Sequence, residues 1–459
     1  MTAFSVNNQE GDSDEVTLED VHSAFDKWME IEDMNRIDIM LATHLSNLNP
    51  KQPPIWIILI GPSGDGKTEQ LKALRDPLED KNPEEADTKK ISEITKNTLV
   101  SGMDEEGVDL APTLDGKTIL IYDFATLLNK PAEAKKKIMS QFRELYDGEI
   151  GKQAGSGKDV HYTLDHPPSL IACSTPDFDN QIIQVQQVGT RELMYRLPTK
   201  NPGEMDAVLD AVLDNHARKS EMRDELQRTV RDFIETRAVD AEMKVPEWVE
   251  EQLKALAKKL SILRAEGRFE HGSSELMNDV TPEVPSRTVS QLKAIFISLK
   301  SLEPDYSSEK ALEIINHIVE SSGKPRRSQV LNCIAESGGA PVAEIADEIK
   351  QSYKMVKRDV IVLWNCNVLE KDRFSSEEGE ETEIWRINSQ SNFLDVLNFS
   401  SIWEQVERFI SSEDDGEGVS YEKILKHFDD RQDEIEQLLD RKLKEGVIHE
   451  VKPGKVKLV

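Results

Sequence analysis

Cysteine is scarce. Cys173, Cys333 and Cys366 are the whole complement, far apart and without a CxxC pair or a histidine-rich companion, so a disulfide framework is excluded and the spacing offers no zinc site. Aromatic residues make up only 6% of the chain. No apolar run approaches the roughly 18 residues of a membrane helix. The opening MTAFSVNNQEGDSDEVTLED has neither the basic stretch nor the apolar core of a secretory leader. Together these absences point to a cytoplasmic, reducing setting with no membrane partner. Positive charge is also short. With 57 Lys and Arg against 87 Asp and Glu, and a formal charge of -30, the chain as a whole repels nucleic acid, and any DNA contact has to come from a local basic patch.

What is present divides into segments, and 459 residues suit roughly three or more domains. Residues 1–16 are polar and acidic, the composition of a disordered tail. Residues 17–54 carry Val21, Phe25 and Trp28, then Ile37, Met40, Leu41 and Leu45, at helical spacing, which predicts two helices leading into a core. Three runs, Ile55–Ile60, Thr118–Phe124 and Ser169–Thr175, are apolar and rich in β-branched residues, the signature of strands buried in a parallel sheet. Helical patterns alternate with them, so residues 55–200 are expected to form an α/β core. Residues 201–323 read as an all-α lid. Two similar modules follow, 324–392 and 393–459, each three helices and a hairpin, the winged-helix pattern.

The sharpest chemical signal is Gly61-Pro62-Ser63-Gly64-Asp65-Gly66-Lys67-Thr68. It follows a strand and opens a helix, as a phosphate-binding P-loop requires. Its glycines let main-chain N–H groups turn toward phosphate oxygens, Lys67 reaches the β- and γ-phosphates, and Thr68 can ligate Mg²⁺. ATP with Mg²⁺ is the expected cofactor pair. Asp123, at the end of the second apolar strand, reads as the Walker B carboxylate that completes the metal site; the alternative is a cap on the next helix. The residue after it is Phe124, where an acidic group often polarises the attacking water. Turnover is therefore expected to be slow, or Glu144 or Glu149 to act as base.

In their order along the chain, Walker A, Walker B, a third strand with a polar end and a helical lid resemble the AAA+ ATPases. The resemblance covers about residues 55–200 and implies further roles. Ser174 and Thr175 stand at the sensor-1 position. VGTRELMYRLP is similar to the stretch that carries the arginine finger, with Arg191 the first choice and Arg196 the second. PEVPSRTVSQL is similar to the sensor-2 segment, placing Arg287 near the γ-phosphate. The family assembles with shared active sites, so a homo-oligomer, in the extreme a hexameric ring, is implied. The glycine-rich segment holding Lys152 and Lys158 suggests a hairpin or loop inserted just before the third strand, and it resembles the pore loop of helicases of the minichromosome-maintenance and superfamily-3 types, whose lysine follows DNA. An N-terminal zinc and OB-fold region like that of minichromosome-maintenance proteins is not seen in the roughly 50 residues before the core.

The first C-terminal module has 9 basic and 7 acidic residues between 324 and 373. Lys354, Lys357 and Arg358 cluster at the start of its third helix, which favours DNA, while five glutamates in the wing tip SSEEGEETE favour a docked protein. In the second module the third helix opens with Asp429, Asp430, Asp433, Glu434 and Glu436, so a protein partner or the core itself is expected there. Two functions remain open: an ATP-dependent helicase, loader or remodelling motor acting on DNA in replication or a mobile element, or a slowly hydrolysing nucleotide switch that recruits a protein or regulates transcription.

Overall fold

A computed structural model describes residues 15–95, 97–101, 109–153, 159–178, 191–375, 381–391, 402–414, 416, 418–428, 432–444 and 447–458. Five strands form one parallel sheet: β1 (Trp56–Ile60), β2 (Thr88–Lys90), β3 (Thr118–Ile121), β6 (Ser169–Ser174) and β7 (Leu193–Arg196), in the spatial order β2-β3-β6-β1-β7. The expected strands are all present. Every residue of β1, β3 and β6 is buried, which is why they read as continuous apolar runs rather than alternating ones.

One sheet face is covered by α5 (Ala132–Tyr146), with Trp56 packed edge-on against Phe142 and Tyr146. The other is covered by α2 (Asn35–Asn47), α3 (Lys67–Ala73) and the helices that follow the core. Between α5 and β6 rises an antiparallel hairpin, β4 (Glu149–Gln153) with β5 (Asp159–Thr163). The insertion expected there therefore takes the form of two strands. The four-residue helix α4 (Ala125–Leu128) follows β3.

The helices after the core are α6 (Pro202–Asn215), α7 (Lys219–Glu235), α8 (Glu247–Arg264), α9 (Ser286–Lys300) and α10 (Ser308–Ser322). These helices form the all-α region expected after the core, and they pack together with the lead-in helices. One apolar cluster joins α1 (Leu18–Trp28) and α2 to α7–α10 and to residues of β1, β6 and β7. The Ser322 hydroxyl of α10 accepts the Met194 N–H of β7 at 2.7 Å. The acidic tail is also shorter than its composition suggests: Val16 packs on that cluster, and Glu15 pairs with Arg237. Residues 1–14 lie outside the described residues. Among these helices α6 differs. It buries no residue, and Met205, Leu209, Val212 and Leu213 are all exposed.

The first C-terminal module comprises α11 (Pro325–Ser337), α12 (Val342–Glu348), α13 (Tyr353–Asn365) and the antiparallel pair β8 (Leu369–Ser375) and β9 (Glu381–Ile387). The second comprises α14 (Ile402–Glu413), β10 (Val419–Ser420), α15 (Tyr421–His427), α16 (Gln432–Lys444), β11 (Ile448–Lys452) and β12 (Lys455–Leu458). Each has its own apolar core. No described helix is long and apolar enough to cross a membrane.

Candidate functional site

The glycine loop Gly61–Thr68 occupies the turn from β1 into α3. Gly64 and Gly66 have φ of 88° and 79°, in the left-handed region that a side chain disfavours. At Gly61 a Cβ would lie 2.9 Å from the Leu197 side chain, so the close approach of β7 requires glycine there. Lys67 opens α3 and is 7% exposed. Its Nζ donates to Gly61 O at 2.8 Å and Pro62 O at 2.5 Å. Burial draws its pKa below the ordinary lysine value, opposed by Asp65 and reinforced by Arg36. The neighbouring Cys173 thiol is pushed up to about 12 by burial, so it is not ionised beside the lysine.

Thr68 and Asp123 come together. The Thr68 hydroxyl donates to Tyr122 O, the last peptide before Asp123, at 3.4 Å. Asp123 is exposed, and its Oδ1 accepts the Ala125 N–H at 3.0 Å. The carboxylate thus takes the first N–H of α4, with Phe124 at the cap position, and it stays exposed one residue beyond the peptide that Thr68 meets. One hydroxyl and one carboxylate fit Mg²⁺, which takes few protein ligands and completes its shell with water and phosphate oxygens. No group of three acidic, histidine or cysteine side chains with metal-site geometry occurs among the described residues.

Ser174, at the end of β6, accepts the Gly61 N–H on its carbonyl at 3.2 Å. Its buried hydroxyl has no hydrogen-bond partner among the described residues, the kind of group that a bound water or phosphate satisfies. Thr175 is half-buried next to it. Phe124 occupies no catalytic position: it is 2% exposed, donates its N–H to Cys173 O and packs on Phe178 at 5.8 Å. Neither substitute base reaches the loop. Glu144 accepts the Gly151 N–H at the foot of the hairpin, and Glu149 is exposed on β4.

The three arginines fall into two places. Arg191 precedes β7, whose far end meets Gly61, so it lies roughly 20 Å along the sheet from its own phosphate loop. It is 9% exposed and pairs with Asp147 at 2.5 Å. Arg287 starts α9, pairs with Glu283 at 3.5 Å, and stands with Arg191 around Tyr146. Arg287 was expected near the γ-phosphate; the fold puts it at the end of the sheet away from its own glycine loop. Helix α9 begins at the end of the sheet opposite the P-loop: it packs on α2, α8 and α10, and its Gln291 donates to Arg191 O, just before β7, at 2.9 Å. Arg196 Nε donates to Ser321 O at 3.0 Å, tying β7 to α10.

Several residues around the loop carried no signal in the sequence. Trp28 and Met29 at the end of α1, Gln70 of α3, Val208 and Val212 of α6 and Met222 of α7 line a largely apolar cleft that opens beside Gly64 and Gly66. Glu69, next to Thr68, is held by Arg223 of α7 at 2.7 Å and Lys72 at 2.8 Å, and these partners outweigh burial to bring its pKa to about 2. Arg36 of α2 pairs with Asp65 at 2.6 Å. The apolar spacing of α1 and α2 announced two core helices but not that they face the loop.

The expected DNA contacts are partly engaged within the chain. Lys152 on β4 donates to Asn97 Oδ1 at 3.1 Å and to Ser101 O. Lys158 lies outside the described residues. At the start of α13, Lys354 donates to Gly272 O at 2.7 Å and Arg358 to Ser273 O at 2.6 Å, with the Arg358 guanidinium 5.0 Å from the Phe269 ring. The turn between α8 and α9 thus sits on that helix. Lys357 lies 5.9 Å from the Tyr353 ring. In the wing tip, Glu377, Glu378 and Glu380 lie outside the described residues, while Glu381 begins β9; Asp429 and Asp430 also lie outside them.

No protein-family model and no curated protein matches the chain. Among solved structures, a full-length MCM homolog from Methanopyrus kandleri is similar at 10% identity and a TM-score of 0.37, over 67% of this chain and 60% of that one. An apo structure of the NrS-1 C-terminal region is similar at 14% identity and a TM-score of 0.29, over 81% of this chain and 75% of that one. The chain spans 60% of the length of the first. A likeness of this depth carries no argument about function, which rests here on the site's own residues.

Proposed function

We propose that the chain is an ATP- and Mg²⁺-dependent ATPase of the AAA+ type that acts on DNA as a helicase, loader or remodelling motor. The observation that carries this reading is the assembly at the ends of β1, β3 and β6: Lys67, Thr68, Asp123 and Ser174 around a glycine loop of the required geometry. Lys67 and the loop amides hold the triphosphate, and Thr68 with Asp123 holds the metal. The Mg²⁺ ion, when bound, neutralises charge on the transferring phosphoryl group. The apolar cleft beside Gly64 suits a nucleobase. Arg191 and Arg287 stand at the end of the sheet away from their own loop, where they serve a neighbouring copy; this supports a homo-oligomer with shared sites, of which a hexameric ring is one form. The two C-terminal modules are read as winged helices, the first for DNA and the second for a protein partner.

A second reading, a slowly hydrolysing switch, is favoured by two observations: Phe124 is buried where a base is wanted, and Lys354 and Arg358 are engaged by the 272–273 turn. ATP hydrolysis with and without single-stranded DNA, paired with size-exclusion chromatography with and without ATP, separates the two. DNA-stimulated turnover in an oligomer supports the motor; tight binding with slow, DNA-indifferent turnover supports the switch.

A further inference from the structure

Asp65 is an odd residue for an anion cradle. It lies between Gly64 and Gly66, where main-chain amides are expected to face phosphate, and a carboxylate there opposes a triphosphate. The fold answers with Arg36. This side chain is 1% exposed, that of Asp65 is 5% exposed, and Nη1 meets Oδ2 at 2.6 Å. A buried ion pair is a weak source of stability, because desolvation offsets its attraction. Arg36 is also incompletely satisfied, since its buried Nε has no partner among the described residues. Its location is the informative feature: the pair closes on the glycine loop itself, two residues before Lys67.

The framework around Arg36 holds it in place. Tyr195 of β7 donates to Asp33 at 2.7 Å, just before α2. Two residues beyond Arg36, Asp38 is fully buried and held by His22 at 2.6 Å, Tyr306 at 2.6 Å and Lys310 at 2.7 Å. Helix α2 is thereby tied to α1, to the sheet and to α10, on both sides of the arginine.

We propose that Arg36 is a positioning residue for nucleotide binding, which neutralises Asp65 and holds its carboxylate away from the phosphates so that the loop keeps a net positive field. The inference rests on the nucleotide reading above and adds to it a residue outside the motif.

The test is calorimetric titration of the full chain with MgATP and with MgADP. Arg36→Gln is expected to weaken MgATP by about tenfold or more and MgADP by less, because an uncompensated carboxylate repels the more charged ligand more strongly. Arg36→Gln with Asp65→Asn is expected to recover MgATP affinity to within about threefold of wild type, the coupling that marks an interacting pair. A purely structural role predicts equal losses for both nucleotides and no recovery, which would overturn the proposal. If Arg36→Gln fails to melt cooperatively, Asp65→Asn alone decides. Leaving Arg36 unopposed, it should raise the preference for MgATP over MgADP by about threefold, and an unchanged ratio refutes the inference. Wild type that binds no nucleotide overturns the site reading and this inference together; wild-type binding undiminished in Arg36→Gln overturns the inference alone.

Discussion

Two cationic sites in this chain solve the same problem in opposite ways. At the phosphate loop, Lys67 donates to Gly61 O and Pro62 O, carbonyls of its own loop. At the start of α13, Lys354 and Arg358 donate to Gly272 O and Ser273 O, carbonyls of a turn more than eighty residues earlier. In the first case cation and partners travel together in eight consecutive residues, and the motif is complete wherever the chain folds. In the second, the cations are visible in the sequence but their availability depends on what the fold lays across them. A basic helix start is thus weaker evidence for a ligand than a glycine loop of equal charge.

The largest effect expected is at the loop. Lys67→Ala should abolish ATP turnover and weaken MgATP by more than about tenfold, since it deletes the cation of the cradle; retained turnover in a phosphate-release assay would remove the site from consideration. Asp123→Ala should keep most nucleotide binding and lose Mg²⁺-dependent turnover by about a hundredfold. Persistence of the Mg²⁺ dependence would reduce Asp123 to its hydrogen bond with the Ala125 N–H.

Next in size is Phe124. Because it is packed on Phe178 and 2% exposed, Phe124→Glu should not supply a base but should destabilise the core by about 3–5 kcal/mol, as burying an unpaired carboxylate does. A variant that melts like wild type and turns over faster would contradict this packing argument.

The comparison itself is tested at α13. Replacing residues 269–275 by a glycine-serine linker frees Lys354 and Arg358, and is expected to tighten single-stranded DNA binding by about tenfold and to steepen its log-log salt dependence by about two. DNA affinity that is absent both before and after the replacement would favour the switch. The smallest effect is at the contact between α7 and α3. Glu69→Gln should cost about 1 kcal/mol of thermal stability at neutral pH. Since the Glu69 pKa is lowered to about 2 in the fold, the contribution is present above the ordinary carboxylate range and fades as pH falls toward 2. Melts that differ equally at pH 7 and pH 2 would exclude the ion pair as the cause.

Much of the core was legible in advance because its signals are local. Strands β1, β3 and β6 are buried on both faces, so each had to be an apolar run; the glycine loop has to carry glycine where φ is positive. The hairpin β4–β5 was foreshadowed by the glycines around Lys152. Other expectations failed for one physical reason. Arg287 was placed by analogy at the γ-phosphate, but the position of α9 follows from its packing on α2, α8 and α10, which no spacing in its own sequence encodes. Glu144 and Glu149 were candidates by composition, and the chain direction at the end of α5 carries them away from the loop.

The sequence by itself determined a parallel α/β core with a glycine loop between strand and helix, a neighbouring aspartate and two helix-and-hairpin modules, because these depend on φ angles, periodicity and residues adjacent in the chain. Only the tertiary structure decided that Arg36, 29 residues before Asp65, neutralises it, that Glu69 is held by Arg223, and that the 272–273 turn covers α13. Those pairings join charges whose separation along the chain says nothing about their separation in space. They are fixed when apolar packing of α1, α2 and α7–α10 on the sheet returns distant segments to one place.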